Sequence, residues 1–239
     1  MVRDTQTIAV AAGATVVAVA FGASLLERWV VRRRPHELAW AVALGLFACG
    51  SLSLWAGAAL GWSGWTFRLF YAFGAVVNVP FLAVGTIYLL APRRRADLIA
   101  AGVALACAFA GGVIAVAPFT GAIAPDVLPQ GSDVFGPLPR ILAAVFSAGG
   151  ATVVFVGAAW SAARLLRGRG NRRLAAGNAV IALGTAILSM SGLLNSALGE
   201  MEAFAVTLTL GVSVLFTGFV VASSPLRPNR SLRSVRRVA

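Results

Sequence analysis

Lysine is absent from the 239 residues, histidine occurs once, at His36, and cysteine twice, at Cys49 and Cys107. Each shortage excludes a chemistry. Without lysine, no side-chain Schiff base to a carbonyl cofactor can form. A single histidine rules out a bis-histidine haem, a His-Glu-x-x-His zinc site and a Ser-His-Asp triad. The two cysteines form no Cys-x-x-Cys pair and lie in apolar stretches, so they read as small buried hydrophobes. Charge is scarce as well. Only 12% of the residues are charged, against about 25% in an ordinary soluble domain. What is abundant is apolar: 59% of the chain is hydrophobic and the mean hydropathy is +0.86. This is not the composition of a soluble protein.

The apolar residues come in runs of about 20, the length of helix that crosses a hydrocarbon core. Seven runs qualify, at about 7–27, 37–60, 66–90, 97–117, 140–163, 174–196 and 203–222. The expected fold is therefore all-α, a single seven-helix transmembrane domain over 1–224 followed by a basic tail over 225–239. The first run, Ile8 to Leu26, has a small-residue Ala18-Val19-Ala20 site like a signal peptide. It is about twice as long as an h-region, however, and Arg28, Arg32, Arg33 and Arg34 follow it like a stop-transfer flank, so it reads as a retained helix.

Twenty arginines against eight acids give a formal charge of +12, and their placement reports orientation first. Seventeen lie in alternate connections and the tail, leaving only Arg3, Arg68 and Arg140 on the other side. The positive-inside rule then sets the N-terminus outside and the C-terminus in the cytoplasm of a cell (inner or plasma) membrane. Asp4, Asp126, Asp133, Glu200 and Glu202 fall outside. Trp62 and Trp65 are expected at the outer interface, Trp29 and Trp40 at the inner one. Pro118–Pro139 reads as an irregular outer cap. The tail, with Leu226, Leu232, Val235 and Val238 among its arginines, is either a segment lying on anionic lipid or a disordered topogenic tail. The bilayer, with anionic lipid at the basic cytoplasmic face, is the expected partner. A small-molecule ligand and a homo-oligomer are compatible with the composition, and nucleic acid is not expected.

An internal repeat organises the spans. Gly13-Ala14-Thr15-Val16-Val17 returns as Gly150-Ala151-Thr152-Val153-Val154, an offset of 137 shared by Ser24 and Ser161, Phe67 and Phe204, and Gly74 and Gly211. Ser51, Ser53 and Gly61 return as Ser189, Ser191 and Gly199 at an offset of 138. Spans one to three and five to seven become two parallel halves, with span four inverting the second.

This 3+1+3 pattern with an outside N-terminus resembles the SWEET and PQ-loop sugar transporters. Asn78 on the third span looks like the sugar-binding asparagine of that family. The chain departs from the family where Leu215 occupies the matching place on the seventh span and where the first and fifth spans lack hinge prolines. It also resembles the microbial rhodopsins in Arg68, Pro80, Glu200 and Glu202, but with no lysine a retinal Schiff base is excluded. In composition it looks most like the seven-helix membrane proteins of GC-rich bacteria, which implies no activity.

The third span is the most polar, with Arg68, Tyr71, Asn78, Pro80 and Tyr88. Arg68 either snorkels to the outer interface or faces the bundle, where Glu200 or Glu202 would pair with it as an outer gate. Pro80 should free the carbonyl of Val76 and act as a hinge beside Asn78. Asn78 is otherwise interhelical glue. On the sixth span, Ser191 and Asn195 share a face, four apart, and Asn178 adds an amide. Arg68, Tyr71, Asn78, Ser191 and Asn195 are the candidate ligand contacts, with no metal, no cofactor and no catalytic set. No acid lies between Glu37 and Asp97 or between Asp133 and Glu200, which argues against a proton relay. The expected function is a transporter or permease for a small polar solute between the two halves. Its alternative is a non-enzymatic, rhodopsin-like sensor or accessory subunit that binds an apolar ligand or a partner helix.

Overall fold

The computed structural model describes residues 5–167 and 172–198, together with 210, 211, 213–215, 217, 218, 220 and 221. Among these residues every regular element is a helix, apart from one isolated bridge between Phe119 and Phe135. The helices are α1 (Thr5–Arg32), α2 (Pro35–Leu60), α3 (Gly64–Phe70), α4 (Asn78–Leu90), α5 (Arg93–Val116), α6 (Gly131–Val134), α7 (Pro137–Arg167) and α8 (Arg172–Leu198). A π-helical segment, Tyr71–Val77, joins α3 to α4, so Gly64–Leu90 is one continuous span.

Five of these stretches, 24 to 31 residues each, are long and apolar enough to cross a bilayer: α1 from Thr7, α2, Gly64–Leu90, α5 and α7. The protein is a membrane-embedded helical bundle. These five coincide with the first five expected spans. The sixth expected span falls in α8, whose described apolar stretch is Ala175–Ile187. The seventh lies largely outside the described residues, although each described position from 210 to 221 is helical. The tail lies outside them too.

Proline sets most of the boundaries, because it favours the first helical turn and forces its predecessor out of the α region. Pro35 opens α2 with Arg34 extended at φ −85° and ψ 121°. Arg33 makes the turn between α1 and α2 at φ 52°, donating its N–H to the Trp29 carbonyl. Pro92 ends the third span with Ala91 extended, Pro118 ends α5, and Pro137 opens α7. The short gap after α2 is built differently: Gly61 takes φ 103°, then Ser63 and Thr66 close a capping box at the start of α3.

With lipid tails as apolar as the side chains, helices associate by close packing, which small residues permit. A Cβ on Gly50 would lie 2.8 Å from the Gly74 nitrogen, so α2 meets the π segment backbone to backbone. On the opposite side, a Cβ on Gly150 of α7 would lie 2.9 Å from the Val79 carbonyl carbon. The third span is thus clamped between α2 and α7. Toward the C-terminus, α8 meets the described residues of 210–221 at Gly184 against Leu215 and at Gly218 against Ile181.

The ends of the bundle differ. One carries Arg28, Arg32–Arg34, Arg93–Arg95, Arg164 and Arg167 and is here the arginine end; the other carries 117–136 and is the cap end. The core near the cap end contains Trp62, Phe67, Val76, Ile114, Val134 and Phe135, whereas nearer the arginine end Ala83, Val154, Ala158, Ile181, Ala182 and Leu215 form a second cluster with Phe21 and Trp40 at its rim. The cap is a packed layer. Trp62 N–H donates to the Pro125 carbonyl at 2.8 Å and Thr120 N–H to the Val134 carbonyl at 2.9 Å.

Two expectations about single residues change. Trp62 is a core residue, 6% exposed, because Gly57 leaves its ring a seat on α2, whereas Trp65 is 70% exposed. Cys107 is buried as expected, but Cys49 lies on an exposed face of α2.

Candidate functional site

Arg68 and Tyr71 lie one turn apart where α3 runs into the π segment. Neither reaches away from the protein. The Arg68 Nη1 donates to the Ile114 carbonyl of α5, and its guanidinium carbon stands 4.1 Å above the Phe119 ring and 5.8 Å from that of Phe135. The chemistry of this contact begins at Pro118. Having no N–H, Pro118 leaves the Ile114 carbonyl, four residues earlier, without its helical donor, and a cation at a helix C-terminus is favoured by the dipole as well. Arg68 therefore caps α5. Tyr71 packs on Phe135 and Phe67 at ring distances of 5.0 Å and 5.8 Å, and Gly131 leaves room for its ring.

Asn78 and Pro80 lie roughly 10 Å deeper, at about 1.5 Å per residue from Tyr71. Asn78 is 5% exposed. Its Oδ1 accepts the N–H of Val79 at 2.7 Å, which draws that donor from the regular ladder. The carbonyl one α-turn back, Ala75, accepts instead from the Ser147 Oγ of α7. Pro80 compounds the vacancy, because in the i→i+5 register of a π turn its missing N–H also falls on Ala75. The expected free carbonyl was that of Val76; the carbonyl with an outside donor is its predecessor, because the wide turn shifts the register by one.

Ser191 and Asn195 fall in α8, and their side chains lie outside the described residues, as do Glu200 and Glu202 altogether. The structure thus brings Arg68 and Tyr71 together around Phe135 and joins Asn78 and Pro80 at the helix break. Among the described residues, Arg68 makes no ion pair; the one present, Arg93–Asp97 at 3.0 Å, sits at the arginine end, where Tyr88 also donates to Asp97 at 2.8 Å.

Several contributors are not among the sequence candidates. Ser147 is one of three hydroxyls in an apolar helix, with Thr152 and Ser161, and carries no local signal. Trp40 donates Nε1–H to the Leu82 carbonyl at 3.2 Å, its ring seated on Gly85, so this tryptophan ties α2 to α4. Asn178, which the sequence offers only as a further amide of the sixth span, donates to Ser161 at 2.7 Å, tying α8 to α7. Glu37, 4% exposed in the first turn of α2, has an Oε2 without a hydrogen-bond partner among the described residues. Only the Arg68 contact had a readable signal, in the position of Pro118.

Between the third span and α5 runs an apolar cavity of about 420 Å³, with Trp65, Arg68 and Phe81 on one wall and Ala104, Ala108 and Gly111 on the other. It lies on the α5 side of the third span, away from α8. Fold and site together define a polytopic helical membrane protein with a broken third span and a lateral groove. No family model matches the chain, and no curated protein or solved structure is significantly similar to it.

Proposed function

We propose that the chain is a non-enzymatic, multi-pass protein of the cell membrane that carries a small polar solute between two three-helix halves, with the third span as its moving part. One observation carries this reading: the helical ladder is interrupted at Ala75–Val79, and a side chain of the fifth span, Ser147, supplies the missing donor. A π turn inside a spanning helix often marks a functional site. The bond that holds this one is of a kind worth about 1 kcal/mol in a membrane, so a second packing lies within reach. Close glycine contact occurs between the second and third spans, at Gly50 and Gly74, and between α8 and the described residues of 210–221, at Gly184 and Gly218, although not at positions related by the repeat offset. In this reading Asn78, Ser191 and Asn195 contact the solute and Pro80 is the hinge. Arg68 and Tyr71 close the cap end, and Glu200 and Glu202 are the counter-charges of that gate.

A second reading, a sensor or accessory subunit that binds an apolar ligand, is favoured by a different observation, the apolar groove beside α5. Flux separates the two. Purified protein in sealed vesicles should take up at least one labelled sugar, polyol or short carboxylate saturably above the protein-free rate. Asn78→Leu should slow that uptake about tenfold, the equivalent of about 1.4 kcal/mol of lost contacts. Absence of saturable uptake across the panel, with retained binding of an apolar probe, would favour the second reading instead.

A further inference from the structure

Of the long helices, α5 is the least embedded. Leu105, Phe109 and Val116 are 74%, 63% and 81% exposed, a face suited to lipid. The flank between that face and the buried Cys107, Ala110 and Ile114 carries Ala104, Ala108, Gly111 and Ala115, spaced four, three and four, whose short side chains leave the space toward the third span open. What they leave is the apolar groove. From Ala104 to Ala115 its wall rises about 17 Å at about 1.5 Å per residue. One leaflet of a hydrocarbon core about 30 Å thick has nearly that depth.

Arg68 stands at the cap-end mouth of this groove. Its charge is permanent and its guanidinium has five donors, so a carbonyl and an aromatic face leave both charge and donors to spare. A cation just inside the interface requires an anion or water. Trp65, beside it and exposed, is the residue type that sits at headgroup level.

We propose that the groove binds one acyl chain of an anionic phospholipid from the leaflet at the cap end, with the lipid phosphate at Arg68. Length and apolar lining suit a hydrocarbon tail. The fixed cation selects a net negative headgroup over a zwitterionic one. The site requires only that the protein is embedded in a bilayer; at Arg68 the lipid phosphate takes the place that the transport reading gives to Glu200 or Glu202, so the two anions are alternatives there.

Quenching of Trp65 tests the assignment locally, because the arginine end attracts anionic lipid elsewhere on the protein. Full-length protein is placed in phosphatidylcholine vesicles containing a minor fraction of phosphatidylglycerol or phosphatidylcholine with brominated chains. The Trp65 signal is the difference between the wild type and Trp65→Phe. Brominated phosphatidylglycerol should quench it with about fivefold higher apparent affinity, the effect of one arginine near the surface. Arg68→Gln should abolish that preference. Gly111→Phe should abolish it as well while leaving the charge in place, and it should fold, since a Cβ on Gly111 meets nothing within 4 Å. Equal quenching of the wild type by the two brominated lipids would overturn the proposal, as would a preference that survives Gly111→Phe.

Discussion

Individual side chains in this bundle act mostly by repairing backbone. Pro118 strips a donor from Ile114 and Arg68 replaces it; Asn78 captures the Val79 N–H and Ser147 answers the Ala75 carbonyl. In a bilayer these substitutions matter more than in water, because an unsatisfied backbone group has no solvent to turn to. Ser147→Ala should therefore lower thermal stability by about 0.6–1.7 kcal/mol, from the average to the maximum measured for interhelical bonds in membranes. Ser147→Thr, which keeps the hydroxyl, should recover most of it. Thermal unfolding in detergent of both variants is the check, and equal melting of wild type and Ser147→Ala would remove the bond from the account.

At the scale of elements, glycine decides where helices touch. The Gly50 Cα faces backbone atoms of the π segment rather than a flexible side chain, so any Cβ there must push two helices apart. Gly50→Leu should cost about 1–3 kcal/mol or more as overpacking, whereas Gly13→Leu, on a face where an added Cβ meets nothing within 4 Å, should be tolerated. The yield and melting temperature of the two variants separate them. Helix boundaries were largely legible in the sequence because prolines at 35, 92, 118 and 137 act locally. The π segment was not, because its wide turn depends on a hydroxyl 72 residues away in α7. The cap was legible as an irregular loop but not as a packed lid: Phe119 and Phe135 become core only once the chain folds back over Phe67. Trp62 was misplaced for a related reason, since the seat that buries it is the absence of a side chain at Gly57.

For the whole molecule, arginine distribution and helix length point the same way. Alternate connections and the tail carry seventeen of the twenty arginines, and those among the described residues cluster at one end of the bundle. An alkaline phosphatase domain fused after Ala239 should be inactive and a fluorescent reporter there should glow, as expected for a cytoplasmic end. The reverse result would invert every inner and outer assignment and move the Arg68 groove to the other leaflet.

The central claim is that the broken third span opens and closes between the two halves, and accessibility at the break tests it most directly. With Cys49 and Cys107 replaced by serine, Ser147→Cys puts a single thiol at the contact with Ala75, nearly isosteric with the native hydroxyl. The account predicts that a membrane-impermeant thiol reagent reaches this position from either side of sealed, oriented vesicles, and that the rates shift when a transported solute is added. A thiol that stays unreactive from both sides, in a protein that is folded and melts like the wild type, would contradict it and make Ala75–Ser147 a static joint.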